Sequence, residues 1–198
     1  MNKTFRKALP LLLLPMLASC FGGFLEPQKD ETVFYIMRAR PVEKVAVAER
    51  TPINLMPITI PSYMNRNQIV SAGAGGMVLM SEFDRWAESA QSGLTRVLAE
   101  DISATSENLD IYAYPNLSHG AFNLKIIVHD CIGTLGGDLV FKGKWQLDSA
   151  ASKLKIARDF SFKTPCGETN ASYVESINEC AAKLAADIAK TISSNKEK

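Results

Sequence analysis

The chain has 198 residues, 46% of them hydrophobic and 22% charged, with 22 basic side chains against 21 acidic ones. That is enough for one domain with a sizeable core. A near-neutral balance gives nucleic acid or an anionic membrane surface no electrostatic reason to bind, and no internal repeat or low-complexity tract divides the chain.

The start of the chain differs in character from the rest. Lys3, Arg6 and Lys7 precede an apolar run over 9–17 that Pro10 and Pro15 interrupt. Such a run is too short to cross a hydrocarbon core, which takes ~20 apolar residues. It reads as a cleaved export signal. Leu17, Ala18 and Ser19 stand directly before Cys20, which is the arrangement of a lipobox. The small residues let a peptidase reach the bond before Cys20, and the thiol receives a diacylglycerol. Residues 1–19 are therefore expected to be removed as a lipoprotein signal peptide. The covalent lipid on Cys20 is the only prosthetic group expected. One acyl chain anchors marginally and several anchor durably. Phe21, where an aspartate would favour retention in the inner membrane, points to the outer membrane. Residues 20–31, with Gly22, Gly23 and Pro27, read as a polar, flexible leash.

A globular domain is expected over 32–194, with a frayed tail at 195–198. Residues 32–37 (TVFYIM) are β-branched and aromatic, as in a strand. A short strand is expected at 45–48 and another at 54–60, with Pro57 marking an edge or bulge. Pro61 and Asn65 predict a turn over 60–66. Ile69 and Val70 then start a strand that hairpins through Gly73, Gly75 and Gly76 into Met77–Met80. The glycines lack the Lys-Ser/Thr of a phosphate loop.

The first strong helix is expected over 83–103, where Ala90, Leu94, Val97, Leu98 and Ile102 recur at helical spacing with Trp86 one turn earlier. A strand over 109–114 ends at Pro115. Segments 121–128, 139–147 and 153–163 each alternate apolar and polar residues, so they predict an antiparallel meander. Val174, Ile177, Ala181, Leu184, Ile188 and Ile192 form one stripe on a second helix over 171–194, with Asn170 as candidate cap. The fold class is α+β: one mainly antiparallel sheet with two long helices on one face.

Three cysteines follow Cys20. Cys166 with Cys180 is the preferred disulfide in an oxidising compartment, against the alternative of three buried thiols. The two histidines, His119 and His129, stand apart and give no metal-ligand spacing. His129-Asp130-Cys131 suggests a thiol nucleophile, but no third group is in place to orient it. Glu82, Asp84 and Glu88 read as solvated charges at a helix start. No catalytic or metal-binding residue is assigned. Trp86 reads as a core anchor or an interface residue. Tyr63, Met64 and Arg66 are either exposed recognition residues or packed against the helix that starts near Arg85.

In order behind the lipobox come residues 60–70 (IPSYMNRNQIV), 83–88 (FDRWAE) and 94–102 (LTRVLAEDI). Together they resemble the ABC-type transport auxiliary lipoprotein family, the paraquat-inducible protein C-like lipoproteins. Phe34-Tyr35-Ile36, Tyr114-Pro115 and Trp145 fit the same pattern. Asn67 and Ser89 depart from it, standing where the family commonly has proline, and the cysteines lie outside it. The resemblance implies a non-enzymatic outer-membrane subunit that docks a periplasmic mammalian-cell-entry (MCE) domain protein and its inner-membrane complex. It also implies a homo-oligomeric ring, no nucleic-acid partner, and a domain similar to the N-terminal domain of the Tol-Pal system protein B. Tyr63, Met64, Arg66, Arg85 and Trp86 are the candidate partner-binding residues. Two other roles share the anchor: a regulator of a cell-wall synthase, and a stand-alone lipid carrier with an apolar cavity between sheet and helices.

Overall fold

The computed structural model describes residues 29–40, 50–119, 122–148 and 155–196. The signal segment, Leu17, Ala18, Ser19, Cys20 and the strand expected at 45–48 lie outside these residues. One compact unit spans Thr32–Lys198. Among the described residues its strands are β1 (Val33–Tyr35), β2 (Thr51–Leu55), β3 (Gln68–Ala72), β4 (Val78–Trp86), β5 (Leu109–Ala113), β6 (Phe122–Gly133), β7 (Asp138–Asp148) and β8 (Lys155–Pro165). The helices are α1 (Ala90–Thr105) and α2 (Asn170–Lys196).

The α+β class and both helices agree with the sequence pattern, but one sheet becomes two. A three-stranded sheet has the order β1-β4-β3 and a five-stranded sheet the order β5-β2-β6-β7-β8. Both are mixed. β1 runs parallel to β4, and β2 runs parallel to both its neighbours, β5 and β6. The expected meander is β6-β7-β8, antiparallel throughout. β2 and β5 can run parallel because the β3–β4 hairpin and α1 form a crossover between them, and parallel neighbours require one. α1 lies on β5, α2 lies on β7 and β8, and the helices touch each other. The expected strand at 54–60 sits further N-terminal, at 51–55. The segment after it still runs along β6: Met56 and Thr59 donate to the carbonyls of Leu124 and Ile126 at 3.0 Å.

The meander shows how pattern becomes packing. In β7, Leu139, Phe141, Trp145 and Leu147 are fully buried, every second residue apart from a glycine between, as a half-buried strand requires. In β6 the alternation holds through Leu124, Ile126 and Val128, then changes phase so that Cys131 is buried. A register shift between Val128 and Asp130 is the cause. His129 is the extra residue of a β-bulge, which re-aims the side chains beyond it. Opposite it stands Gly143, paired with Val128. A Cβ at Gly143 would collide with the Ile127 carbonyl oxygen and lie 2.8 Å from Phe160 Cζ. Gly143 therefore stands at an apolar position of β7 because the bulged strand leaves no room for a side chain.

The start of the first helix also differs from expectation. Residues 83–86 are the end of β4, not helix. Trp86 donates its N–H to the Asn67 carbonyl at 2.7 Å, and Ala87 donates to the Tyr35 carbonyl at 2.8 Å, so neighbouring segments on both sides hold this stretch extended. The helix begins after Ser89, whose hydroxyl accepts from the Ser92 N–H at 3.1 Å, an ordinary N-cap. The second helix is capped by Thr169 rather than Asn170. Thr169 Oγ1 accepts from the Ser172 N–H, and Ser172 Oγ accepts from the Thr169 N–H, both at 3.2 Å. This is the reciprocal arrangement of a capping box, with serine in the return position. α2 continues to Lys196, past the expected fraying point, with Asn195 Nδ2 donating to the Thr191 carbonyl at 2.8 Å.

Candidate interaction surface

The five residues proposed from the sequence as a partner-binding patch are not all at the surface. Met64 is 3% exposed and Trp86 8%, and both belong to the core. Tyr63 packs against that core from a 3-10 turn, Ser62–Met64. Its hydroxyl donates to Asp130 Oδ1 at 2.6 Å and accepts from the Cys131 N–H at 2.9 Å. Lys142 Nζ approaches the other Asp130 oxygen at 3.2 Å. Burial, reinforced by the Asp130 carboxylate, raises the Tyr63 pKa well above the ordinary tyrosine value. Tyr63 thus braces the β6 bulge, satisfying backbone and side-chain groups that the extra residue displaces. Arg66 is exposed and Arg85 half-buried.

The acidic residues expected at a helix start have separate duties. Asp84, in β4, accepts from Ser81 Oγ at 2.6 Å and from Asn170 Nδ2 at 2.8 Å. Hydrogen bonds, from Ser81 first and also from Tyr35 and Asn170, hold its carboxyl below the usual range. It joins β1, β4 and the start of α2. Glu88 accepts from Arg96 at 2.6 Å, while the same guanidinium donates to the Met37 carbonyl at 2.8 Å.

Cys131, Cys166 and Cys180 are buried free thiols, so the preferred Cys166–Cys180 bond is not made in this structure. Cys180 Sγ contacts Thr164 Oγ1 at 3.4 Å, and Cys166 Sγ contacts the Gly167 carbonyl at 3.4 Å, so each of these sulfurs is turned to a partner of its own. Simple strand alternation would put His129 and Cys131 on one side. The bulge separates them, leaving His129 exposed and Cys131 fully buried. Burial raises the Cys131 thiol pKa far above its ordinary value, which leaves it as inert thiol rather than nucleophilic thiolate. Among the described residues no cluster of three or more His, Cys, Asp or Glu is gathered for a metal ion.

Two surface features carry no distinctive signal in the sequence. The first is apolar. Val33, Phe34 and Ile36 around β1, Met77–Met80 at the start of β4, and Phe83 are each more than 40% exposed. The second is a groove of about 500 Å³ on α1, lined by Pro57, Gln91, Thr95, Arg96, Ala99 and Tyr114 among others. Tyr114 is 57% exposed at its edge. Gln91 Nε2 donates to the Ile58 carbonyl at 2.7 Å and Thr95 Oγ1 to the Gln91 carbonyl at 2.7 Å, so the wall of the groove is held in place by its own bonds. The groove opens beside α1 rather than between sheet and helices. That interior is filled by side chains such as Leu94, Leu98, Leu124, Trp145 and Leu184, all fully buried.

The family description for an ABC-type transport auxiliary lipoprotein component matches residues 35–189. The chain belongs to this family. It is a transport component and not an enzyme family. Two solved structures share the fold. One is an uncharacterised protein at 18% identity, with a TM-score of 0.69 over 81% of this chain and 98% of that one. The other is protein XCC0632 from Xanthomonas campestris, of the DUF330 family, at 12% identity, with a TM-score of 0.65 over 84% of this chain and 100% of that one. No curated protein matches significantly in sequence. Among the described residues no helix is long and apolar enough to cross a membrane. The likeness to the Tol-Pal system protein B domain is not among these matches.

Proposed function

We propose that this transport auxiliary lipoprotein is the outer-membrane docking subunit of a system that moves lipids or other hydrophobic molecules between membranes. In this reading residues 1–19 are removed, Cys20 carries the lipid, and residues 20–31 are the leash. The domain grips a periplasmic MCE-domain protein whose complex is rooted in the inner membrane, and several copies form a ring around it. The observation that supports a docking role is the groove on α1. It is open and preformed, it mixes apolar and polar walls, and Tyr114 and Arg96 stand at it, residue types that commonly anchor protein interfaces. A groove of this size suits a short segment of a partner chain. The burial of Met64 and Trp86, and the engagement of Tyr63 by Asp130 and the Cys131 amide, move the contact from that turn to this groove.

The test is co-purification of the lipidated protein with the MCE-domain protein of the same cell. Tyr114→Ala should weaken the complex about tenfold, the effect of losing one anchor worth ~1–2 kcal/mol, without altering the melting temperature. Failure of the wild-type protein to recover an MCE partner would sink this reading. Recovery of a penicillin-binding protein instead would identify a cell-wall regulator.

A further inference from the structure

Apart from Arg66 just before it, the chain carries no charged residue from Asn67 through Ser81. This stretch folds into the β3–β4 hairpin. In a strand, neighbouring side chains alternate faces, so a packed strand hides every second one. Met77, Val78, Leu79 and Met80 are instead 57%, 44%, 50% and 56% exposed in succession. The start of β4 is therefore open on both faces, although Ile69, Val70 and Ser71 of its partner strand are buried. Beyond Ser81 and the exposed Glu82, Phe83 on β4 and Val33, Phe34 and Ile36 around β1 are exposed as well.

On the side facing β3 the backbone of this tip is paired. Val70, Ser71 and Ala72 pair with Met80, Leu79 and Val78. In the turn, Gly73 donates to the Met77 carbonyl at 2.9 Å and Met77 to the Ala74 carbonyl at 3.3 Å. Gly75 and Gly76 take positive φ angles of 64° and 82° to close it, a conformation in which glycine is at ease.

We infer that this strip is a membrane-contact surface. The hairpin tip and the β1 edge lie at the headgroup–acyl boundary of the bilayer and fix the orientation in which the domain hangs. The inference rests on the proposed lipid at Cys20. β1 begins at Val33, so the strip lies close in the chain to the proposed anchor. The strip is therefore held close to the bilayer before it makes any contact of its own. Its exposed members are Val, Phe, Ile, Leu and Met, without the Tyr, Trp and Arg that dominate protein hot spots. Unbranched methionines fill an irregular, fluid surface well. Being uncharged, the tip should not depend on anionic lipid.

The experiment uses the lipidated full-length mature protein in vesicles of phosphatidylcholine alone, with no other protein. An environment-sensitive fluorophore is attached through Leu79→Cys, or for comparison through Lys190→Cys. The native thiols are buried, and Lys190 lies on α2, far along the helix from Asn170, which touches Asp84. Nitroxide-labelled lipid should quench the Leu79 probe at least about twofold more than the Lys190 probe, as expected for burial ~5–10 Å into the interface. Adding phosphatidylglycerol should change neither value. With a probe at Phe34→Cys, a Met80→Asp substitution should reduce quenching. Equal quenching at both sites would overturn the inference. So would Leu79 protection that grows with protein density, which marks a second copy. Because no MCE protein is present, loss of the docking reading leaves this result untouched, and the reverse also holds.

Discussion

Replacing Tyr63 by phenylalanine removes one oxygen from a place where it makes two hydrogen bonds. The bond to the Asp130 carboxylate, at 2.6 Å, is charge-assisted, and such bonds contribute ~1.5–3 kcal/mol. Asp130 keeps Lys142 and is 28% exposed, so water recovers part of the loss on that side. The Cys131 N–H, bonded to Tyr63 at 2.9 Å, sits beside a fully buried side chain and has less recourse. A net cost of about 2 kcal/mol is expected. For a domain of this size that lowers the melting temperature by about 4–8 °C, measurable by near-ultraviolet circular dichroism and by urea titration. Asp130→Asn should cost a similar amount, and the double variant should cost clearly less than the two added together, because both remove one bond. A Tyr63→Phe protein that melts with the wild type yet no longer recovers its partner would refute the brace and restore Tyr63 as a contact residue. The pH dependence has a definite sign. Burial raises the Tyr63 and Tyr173 pKa values in the fold. Their stabilisation is therefore complete below the unfolded tyrosine value of ~10 and is lost as pH rises beyond it. Tyr63→Phe should show a smaller loss of stability on the alkaline side.

Three further outcomes are expected from particular contacts. Gly143→Ala places a Cβ against the Ile127 carbonyl and Phe160 and should destabilise by about 3 kcal/mol or more; an unchanged urea midpoint would contradict the packing described at the bulge. Asp84 has a lowered pKa, so its stabilisation is present above the unfolded value of ~3.9 and is lost as pH falls through the lower folded value. Asp84→Asn should flatten the acid limb of the stability profile, and an unaltered limb would argue against the junction with Tyr35 and Asn170. Cys131, Cys166 and Cys180 should react with a thiol reagent only on unfolding, without any reductant. Finding just one reactive thiol in the unfolded chain would mean that the cysteines pair after all.

The meander was legible because each strand decides its own face. Leu139, Phe141, Trp145 and Leu147 alternate with polar residues, and a strand with that pattern can bury only one side. The α2 stripe was legible for the same reason at helical spacing. The end of β4 was not legible. Phe83 and Trp86 stand three apart, which is helical spacing, and Ser89, the actual cap, stands inside a run that reads as continuous helix. The β1 and β3 neighbours that hold the stretch extended come from elsewhere in the chain. The phase change in β6 was equally hidden: His129 looks like any exposed strand residue, and only Gly143 across the ladder hints that something bulges toward it.

The candidate surface divides in the same way. The motifs at 60–70 and 83–102 pointed to the family that the match over residues 35–189 shows, because short local signals can be compared without any fold. Which of those motif residues face outward was beyond them. Tyr63 is occupied by Asp130 and the Cys131 amide, Trp86 is inside, and the uncharged start of β4, an ordinary strand by its sequence, is open on both faces. Local periodicity determined the elements, their faces and the fold class. The division into two sheets, the parallel placing of β2 and the identity of the free surface were decided by the tertiary structure, because each depends on which distant segment comes to lie alongside, and no local pattern encodes that.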